Sequence, residues 1–185
     1  MSVAISSLTI DGFRSLRHLK LENLARVNLI TGKNNSGKTS VLEALAIVAS
    51  RGTIPLLCRL VQEREEDQLP SAPSVASVFR SLFTDFPFAQ VPSAIELNAT
   101  GGRGKFKVKI WHGWAQENRS ADGAVWLSNP VEKLDLGKIP VLVKDFEPGE
   151  RRITRLSGFN PVNNGMPEEP FFIFFVLVPS LRSYP

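Results

Sequence analysis

The sequence contains few of the residues that stabilise small secreted domains, and no segment typical of membrane proteins. Its 185 residues include a single cysteine, Cys58. One thiol excludes an intrachain disulfide and a cysteine-based metal cluster. The longest apolar run, Phe171 to Val178, is far shorter than the ~18–20 residues of a transmembrane helix. The first residues lack the basic and apolar segments of a secretion signal, so we expect a cytoplasmic protein without a membrane span.

The composition is typical of one globular domain. Hydrophobic residues make up 43% of the chain and charged residues 22%. The formal net charge of +4 permits attraction to nucleic acid, but a mildly basic solvated surface is the simpler interpretation. No helix-turn-helix or zinc pattern collects the basic residues, which makes a purely DNA-binding protein the weakest alternative.

Apolar patterns predict strands at the start of the chain. Loose alternation over 3–10, followed by DGFRSL, predicts one strand, a short turn and a second strand around 16–21. The next segment, ARVNLITG, brings Val27, Leu29 and Ile30 close together before a glycine. This spacing predicts a buried strand that leads into a tight loop.

Helical spacing follows this loop. Apolar residues three and four positions apart predict a helix that ends at Gly52. The predicted apolar stripe consists of Val41, Leu42, Leu45, Ala46, Val48 and Ala49. Thr53 is the predicted N-cap of a second helix with Pro55 in its first turn, and the spacing over 75–82 predicts a short third helix.

From about Ser93 the sequence predicts strands separated by turn residues. AIELNAT and KFKVKIW flank the turn GGRG, which is typical of a β-hairpin. The second run should direct apolar side chains to one face and lysines to the other, namely Phe106, Val108 and Ile110 against Lys105, Lys107 and Lys109. AVWL, PVLVKDF and RRITRL predict further strands, and FFIFFVLV predicts a strand buried on both faces.

A phosphate-binding motif lies between the predicted buried strand and the first helix. Gly32, Gly37, Lys38 and Thr39 occupy the fixed positions of G-x-x-x-x-G-K-[ST], in the strand-loop-helix context that this motif requires. Glycine lets several backbone N–H groups approach one triphosphate, and the start of the helix adds its own unpaired N–H groups. The motif therefore predicts nucleotide binding.

The residue types in this loop define the predicted roles. Lys38 should reach the β- and γ-phosphates, as the catalytic cation, and the Thr39 hydroxyl should be the metal ligand that coordinates Mg²⁺. No Asn-Lys-x-Asp or Asp-x-x-Gly motif is present, which favours ATP over GTP and disfavours a GTPase or a small-molecule kinase. The predicted nucleotide-binding residues of the loop are Gly32, Lys33, Asn34, Asn35, Ser36, Gly37, Lys38, Thr39 and Ser40.

The stretch LTIDGFRSLRHLKLENLARVNLITGKNNSGKTSVLEAL resembles a known family. It is similar to the N-terminus of ABC-class ATPases related to RecF, to the SMC proteins and especially to the OLD-like ATPases of phage-defence and DNA-repair systems. The matching features are an opening strand, Phe13-Arg14-Ser15, and a strand that runs into GKNNSGKTSVLEAL. The resemblance covers roughly the first 50 to 65 residues.

The resemblance implies an α/β fold, namely the N-terminal lobe of a P-loop NTPase head with an antiparallel β-subdomain. We expect a partial head domain over 1–185, with a P-loop core over about 1–90 and a β-rich subdomain over 91–185. Arg14 would lie near the base or ribose of the nucleotide; the alternative is a surface arginine in a turn. Two heads would sandwich ATP, which implies a homodimer or higher oligomer, with a nuclease effector and DNA as further partners.

Two elements of a complete ATPase of this class are missing from the sequence. These are an apolar strand that ends in Asp-Glu and a Leu-Ser-Gly-Gly signature loop. The nearest approximations, 141–148 and 155–160, have the wrong composition and the wrong order, and Ser180 and Arg182 stand where many relatives have Gln. We therefore expect hydrolysis to need C-terminal elements and dimerisation, the alternative being a nucleotide-binding assembly module that does not hydrolyse.

Overall fold

An antiparallel sheet with helices on one face forms the framework of the protein. The computed structural model describes residues 4–64, 75–84, 94–102, 104–119, 121, 125–130, 132, 137–146 and 149–155. The strands are β1 (Ser7–Phe13), β2 (Leu16–Leu21), β3 (Ala94–Gly101), β4 (Gly104–Ala115), β5 (Glu117–Arg119), β6 (Val125–Leu127), β7 (Ile139–Phe146) and β8 (Glu150–Arg155). The helices are α1 (Lys38–Ser50), α2 (Ile54–Gln62) and a 3₁₀ helix (Val75–Leu82).

Six of these strands form one sheet in the order β2-β1-β3-β4-β7-β8, and every pair is antiparallel. Strands β5 and β6 form a separate ribbon. The pairing of β1 with β3 joins the start of the chain to the strands after residue 93. Within the described ranges, no helix has the length and apolar character needed to cross a bilayer.

The main core lies between the sheet and the helices. Alternate residues of β1, β3 and β4 point toward it, for example Ile10, Leu97 and Val108, and all three are buried. The helices contribute apolar side chains such as Ile47 and Leu57, which are fully buried. A smaller cluster around Trp111 and Val143 covers the opposite face, so that β7 is buried on both sides.

The hairpin and the later strands confirm the sequence patterns. Strands β3 and β4 pair from Ala94↔Trp111 to Gly101↔Gly104, as the turn GGRG predicts. Val108 and Ile110 are buried, whereas Lys105 is exposed and Lys109 forms an ion pair with Glu96. Strands β6, β7 and β8 lie at AVWL, PVLVKDF and RRITRL, while the predicted strand FFIFFVLV is outside the described residues.

The predicted buried strand at ARVNLITG is wrong. These residues form no strand, and the side chains of Val27 and Leu29 are 87% and 88% exposed. A strand forms when a neighbouring strand completes its backbone hydrogen bonds, and no described strand pairs with this segment. The apolar pattern indicates a composition that favours a strand, but a strand also needs a neighbouring strand to pair with.

The first helix was predicted correctly in position and incorrectly in orientation. Leu42 is 39% exposed and Ala49 is also exposed, although both belong to the predicted stripe. The buried face instead includes Glu43 and Ile47. The helix is nearly apolar all round, so spacing alone does not identify its inner face, and the contact with the sheet decides it.

Two boundaries and the type of one helix differ from the sequence predictions. Strand β1 extends through Asp11 and Gly12 to Phe13, beyond its predicted end at Ile10. Helix α1 ends at Ser50 because Arg51 already has a left-handed conformation, one residue before the predicted Gly52. The third helix is a 3₁₀ helix. Thr53 is the N-cap of α2, as predicted, with Pro55 in its first turn.

A buried lysine ties the end of α1 to the sheet. Lys144 of β7 is 4% exposed, and its ammonium group donates to the carbonyl oxygen of Gly52 at 3.2 Å. Burial lowers the pKa of Lys144 to about 8, and the positive charge of Arg152 acts in the same direction. Lys144, a charged residue within the apolar run of PVLVKDF, thus has a structural contact.

A second buried titratable group lies on β4. The ring of His112 packs against Phe83 with 5.5 Å between the centroids, and its Nε2 is buried without a hydrogen-bond partner among the described residues. Burial lowers the pKa of His112 to about 4, with a smaller contribution from Arg80. The imidazole is therefore neutral in the folded protein at neutral pH.

His112 predicts a loss of stability in mild acid. The unfolded chain binds a proton at His112 near pH 6.5, whereas the folded chain does so only near pH 4. The stabilising effect of the neutral ring is complete above pH 6.5 and is lost as the pH falls to 4. Urea unfolding followed by tryptophan fluorescence should show that His112→Leu removes up to about 3 kcal/mol of this loss.

The exposed His18 provides the control for this measurement. Its side chain is 68% exposed, so His18→Leu should leave the His112-dependent loss in place. Equal pH dependence of the free energy of unfolding in the wild type and in His112→Leu would contradict the prediction.

Candidate functional site

The glycine-rich loop precedes α1 and has the backbone conformations that a phosphate-binding loop needs. Asn35 and Gly37 have φ angles of 59° and 87°, in the left-handed region. Residues 32–36 are exposed, so the backbone of the loop is accessible to a ligand. Left-handed residues within a tight turn bring neighbouring N–H groups toward one point, which suits an anion.

Gly37 also packs directly against the turn between β1 and β2. A Cβ atom at this position would lie 2.9 Å from Leu16 Cδ2 and 3.2 Å from Ser15 Oγ. The close approach places the loop directly against Ser15 and Leu16. The turn forms a support for the loop at the point where the helix begins.

The first turn of α1 presents unpaired backbone donors. Lys38 is the first helical residue, and Gly37, at the N-cap, has no side chain that could accept their hydrogen bonds. The first turn contains no acidic residue. These N–H groups and the positive end of the helix dipole favour a negatively charged ligand at this end.

The side chain of Lys38 folds back onto the loop. Its Nζ donates to the carbonyl oxygens of Gly32 at 3.0 Å and Lys33 at 2.6 Å. An ammonium group held by two exposed carbonyl oxygens can exchange these bonds for stronger ones to a phosphate. The lysine is therefore placed at the loop, close to where an anion would contact it.

A cleft of about 530 Å³ opens beside the loop. It is lined by Arg14, Ser15, Asn35, Ser36, Gly37, Lys38, Thr39, Ser40, Arg64, Ser81 and Phe83. Its size lies within the range of small-molecule sites. Of the predicted loop residues, Asn35 to Ser40 line the cleft, whereas Gly32, Lys33 and Asn34 are exposed and are not part of its lining.

Thr39 and Ser40 differ in their access to solvent. Thr39 is exposed at the cleft, whereas Ser40 is 3% exposed. The described residues contain no group of three or more His, Cys, Asp or Glu side chains that could hold a metal ion. A single hydroxyl fits Mg²⁺, which keeps several waters and shares phosphate oxygens instead of requiring a cage of protein ligands.

Arg14 lies inside the protein, which excludes the surface-turn alternative. Its side chain is 5% exposed, and its Nε lies 2.6 Å from Glu43 Oε2. Its Nη2 donates to the carbonyl oxygen of Leu60 at 2.8 Å, and its backbone N–H donates to Leu82 at 2.8 Å. The left-handed conformation of Arg14, with φ at 52°, is thus held by contacts on three sides.

Glu43 is a central residue of the site that the sequence analysis did not identify. Its carboxylate accepts from Arg64 Nε at 3.1 Å and Nη2 at 2.8 Å, in addition to its pairing with Arg14. Burial raises the pKa of Glu43, and the two arginines partly offset this effect. The available signal was an acidic residue in the middle of the apolar sequence VLEAL, one helical turn after Thr39.

Asp145, an acidic residue of the segment that only approximates an acidic strand end, makes structural contacts in the protein. Asp145 accepts from Trp111 Nε1 at 2.9 Å and from Arg151 Nη2 at 3.2 Å. Burial raises the pKa of Asp145, but the hydrogen bonds from Arg151 and Trp111 outweigh it and leave the pKa lowered. Residues 156–160, Ser180 and Arg182 lie outside the described residues.

The loop, the lysine and the helix start together define a P-loop nucleotide-binding class, and comparison with known proteins agrees. The family described as AAA ATPase domain matches residues 4–98, just over half of the chain. The chain belongs to this family, which implies nucleotide binding. No solved structure gave a significant match.

Individual relatives match over stretches of very different length. A protein of Methanocaldococcus jannaschii described as uncharacterized is 54% identical over 46 residues, which is 25% of this chain and 21% of that protein. The DNA replication and repair protein RecF of Cellvibrio japonicus is 30% identical over 134 residues, 72% of this chain and 33% of the relative.

A third relative is the structural maintenance of chromosomes protein 6 of Dictyostelium discoideum. It is 46% identical over 43 residues, 23% of this chain and 4% of the relative. The chain thus spans a third or less of the length of these three relatives. The matches confirm that it is similar to an N-terminal part of RecF/SMC-like ABC-class ATPases.

The packing of Gly37 leads to a testable prediction. Gly37→Ala should lower the free energy of unfolding by more than the ~1–2 kcal/mol of left-handed strain, because the new methyl group contacts Leu16. It should also weaken ATP binding, since the loop loses its position against the turn. Urea unfolding and calorimetric titration with Mg²⁺–ATP measure the two effects.

Gly149 is a matched control for this substitution. Its φ is 85°, close to that of Gly37, and a Cβ there meets nothing within 4 Å. Gly149→Ala should show the strain without any change in ATP affinity. Equal stability and equal ATP affinity in the two variants would show that the contact with the turn is unimportant.

Proposed function

We propose that this chain is the Mg²⁺–ATP-binding lobe of a RecF/SMC-like ABC-class ATPase. The observation that carries the proposal is the loop from Gly32 to Thr39, which joins left-handed backbone at Asn35 and Gly37 to a lysine and an uncapped helix start. The family match supports nucleotide binding in general. We further propose ATP as the nucleotide, Mg²⁺ as the metal ion and the residues of this loop as their binding groups.

The loop residues have distinct roles in the proposed complex. The backbone N–H groups of residues 35–39 donate to phosphate oxygens, and Lys38 turns from the carbonyl oxygens of Gly32 and Lys33 to the phosphates. The Thr39 hydroxyl is the protein ligand of Mg²⁺, while Gly32 and Lys33 keep their backbone at the edge of the site. ATP supplies a triphosphate whose terminal bond can be hydrolysed, and Mg²⁺ neutralises part of its charge.

Hydrolysis requires groups beyond those described. An acidic side chain must complete the Mg²⁺ site and orient the attacking water, and Asp145 is already engaged by Trp111 and Arg151. We therefore expect hydrolysis to need C-terminal elements and a second head. A nucleotide-binding assembly module without hydrolysis is the alternative, favoured by this same engagement of Asp145.

The biological setting belongs to the proposal as well. The relatives named for DNA replication and repair and for chromosome maintenance support a role in DNA repair. A phage-defence role, an OLD-like identity and a nuclease effector depend on the sequence resemblance alone. A dimer or higher oligomer formed through the heads, and a cytoplasmic location, likewise remain predictions.

Calorimetric titration with ATP tests the proposed binding. The folded chain should bind ATP in the presence of Mg²⁺, and Lys38→Met should weaken binding at least tenfold because a charge-assisted contact is lost. Thr39→Ala should remove most of the gain in affinity that Mg²⁺ provides. GTP should bind more weakly than ATP.

Lys20→Met is the control for the loss of one positive charge. Lys20 lies on β2 with its side chain 56% exposed and pairs with Glu22, outside the cleft lining. This variant should bind ATP like the wild type. Absence of Mg²⁺-dependent ATP binding by folded wild-type protein would refute the proposed function.

Measurement of phosphate release distinguishes the ATPase form of the proposal from the assembly module that does not hydrolyse ATP. The chain alone should bind ATP but hydrolyse it slowly, and a longer natural chain that contains the acidic strand end should hydrolyse it measurably. If the longer chain binds ATP and remains inactive, the assembly-module alternative is correct. Efficient turnover by the 185-residue chain would contradict both forms.

A further inference from the structure

Arg64 is a second arginine of the cleft, and the nucleotide-binding motif does not account for it. It follows α2, which ends at Gln62, and its side chain lines the cleft beside the loop. The side chain is 35% exposed, whereas that of Arg14 is 5% exposed. Arg14 is turned inward to the carbonyl of Leu60, so Arg64 is the more accessible cation of the two.

Glu43 determines where Arg64 lies. The carboxylate is on the buried face of α1, and its Oε1 accepts hydrogen bonds from both Nε and Nη2 of Arg64. Its other oxygen lies 2.6 Å from Arg14. Glu43 is also one helical turn after Thr39, so the residue that fixes Arg64 belongs to the helix that carries the phosphate loop.

The charges around Glu43 favour the binding of an anion. One carboxylate faces two guanidinium groups, which leaves one net positive charge in the cluster, and Lys38 adds another at the loop. Within a cleft partly shielded from water, these charges attract a negatively charged ligand more strongly than an exposed lysine does.

A buried hydroxyl on the same cleft provides an independent observation. Ser81 of the 3₁₀ helix is 8% exposed and lines the cleft, and its Oγ has no hydrogen-bond partner among the described residues. Buried polar atoms are normally satisfied, and a ligand in the cleft would satisfy this one. Arg64 and Ser81 therefore both provide the cleft with donors suited to an anionic oxygen.

We propose that Arg64 contacts the polyphosphate of the bound nucleotide and that Glu43 is its positioning residue. This inference rests on the proposed function and extends it by a second cation from outside the phosphate loop. The opposing interpretation is an ion pair that merely ties α2 to α1, as surface pairs often do with little effect on function. The two interpretations differ in what happens to phosphate binding when Arg64 is replaced.

Titrations with Mg²⁺–ATP and with inorganic tripolyphosphate test the contact. Arg64→Gln should weaken binding of both ligands about tenfold or more, and Arg64→Lys should recover part of the loss because it keeps a cation. The loss should become smaller as NaCl is raised, since salt screens partly exposed charges. A loss confined to ATP would overturn the proposal, because the contact would then be to the base or ribose.

Arg59→Gln is a matched control from α2, the helix that precedes Arg64. Arg59 pairs with Glu63 through Nε, its side chain is 32% exposed, and it does not line the cleft. This variant should bind both ligands like the wild type. A loss in Arg59→Gln equal to that in Arg64→Gln would reject a specific contact at Arg64.

The role of Glu43 is tested by combining substitutions. Glu43→Gln should weaken binding, but the double variant Glu43→Gln with Arg64→Gln should lose less than the product of the two single losses, because both act through one contact. Fully independent losses would show that Glu43 does not act through Arg64. Ser81→Ala should weaken binding about tenfold or more, the effect of one hydrogen bond to a charged oxygen, and unchanged binding would remove Ser81 from the site.

These outcomes can be distinguished from failure of the proposed function. If the wild type does not bind Mg²⁺–ATP, the proposed function fails. If the wild type binds and Lys38→Met does not, while folded Arg64→Gln retains full affinity for both ligands, only the role of Arg64 fails. Circular dichroism and urea unfolding identify folded variants, and Arg64→Lys provides the result where Arg64→Gln does not fold.

Discussion

The carboxylate of Glu43 is the contact on which the arrangement of the cleft depends. It joins α1 to the β1–β2 turn through Arg14 and to the end of α2 through Arg64. These three parts of the chain are far apart in sequence, and each contributes to the cleft lining. A buried carboxylate is costly unless it is paired, and the two arginines provide this pairing. Replacing Glu43 would leave both arginines without their common partner.

The other end of α1 is fixed by a different polar contact. Lys144 of β7 donates to the carbonyl oxygen of Gly52, just after the helix. The helix therefore has a polar tie at its phosphate-binding side, through Glu43, and another at its far end, while Ile47 and its apolar neighbours pack on the sheet. Such a rigid support keeps the N–H groups of its first turn in place, which anion binding requires.

The sequence predicted the parts of this arrangement that local chemistry determines. The glycines, Lys38 and Thr39 must stand at fixed spacing to form the loop, and the turn GGRG must allow a tight connection. It did not predict the contacts that depend on distant residues. Glu43 was recognisable as an acidic residue in an apolar helix, but its arginine partners are 29 and 21 residues away.

The error at Val27 and Leu29 has the same origin and shows how the loop is supported. A strand depends on its neighbours, and no described strand pairs with the segment before the loop. The hydrogen bonds near this segment include Leu24 N–H to the carbonyl oxygen of Ser6 and a local one from the Asn28 amide to Ala25. On the other side, Gly37 touches the β1–β2 turn and α1 is packed on the sheet. The described contacts therefore hold the phosphate-binding backbone from its helical side, and the position of Lys38 and Thr39 depends on α1 more than on the chain that enters the loop.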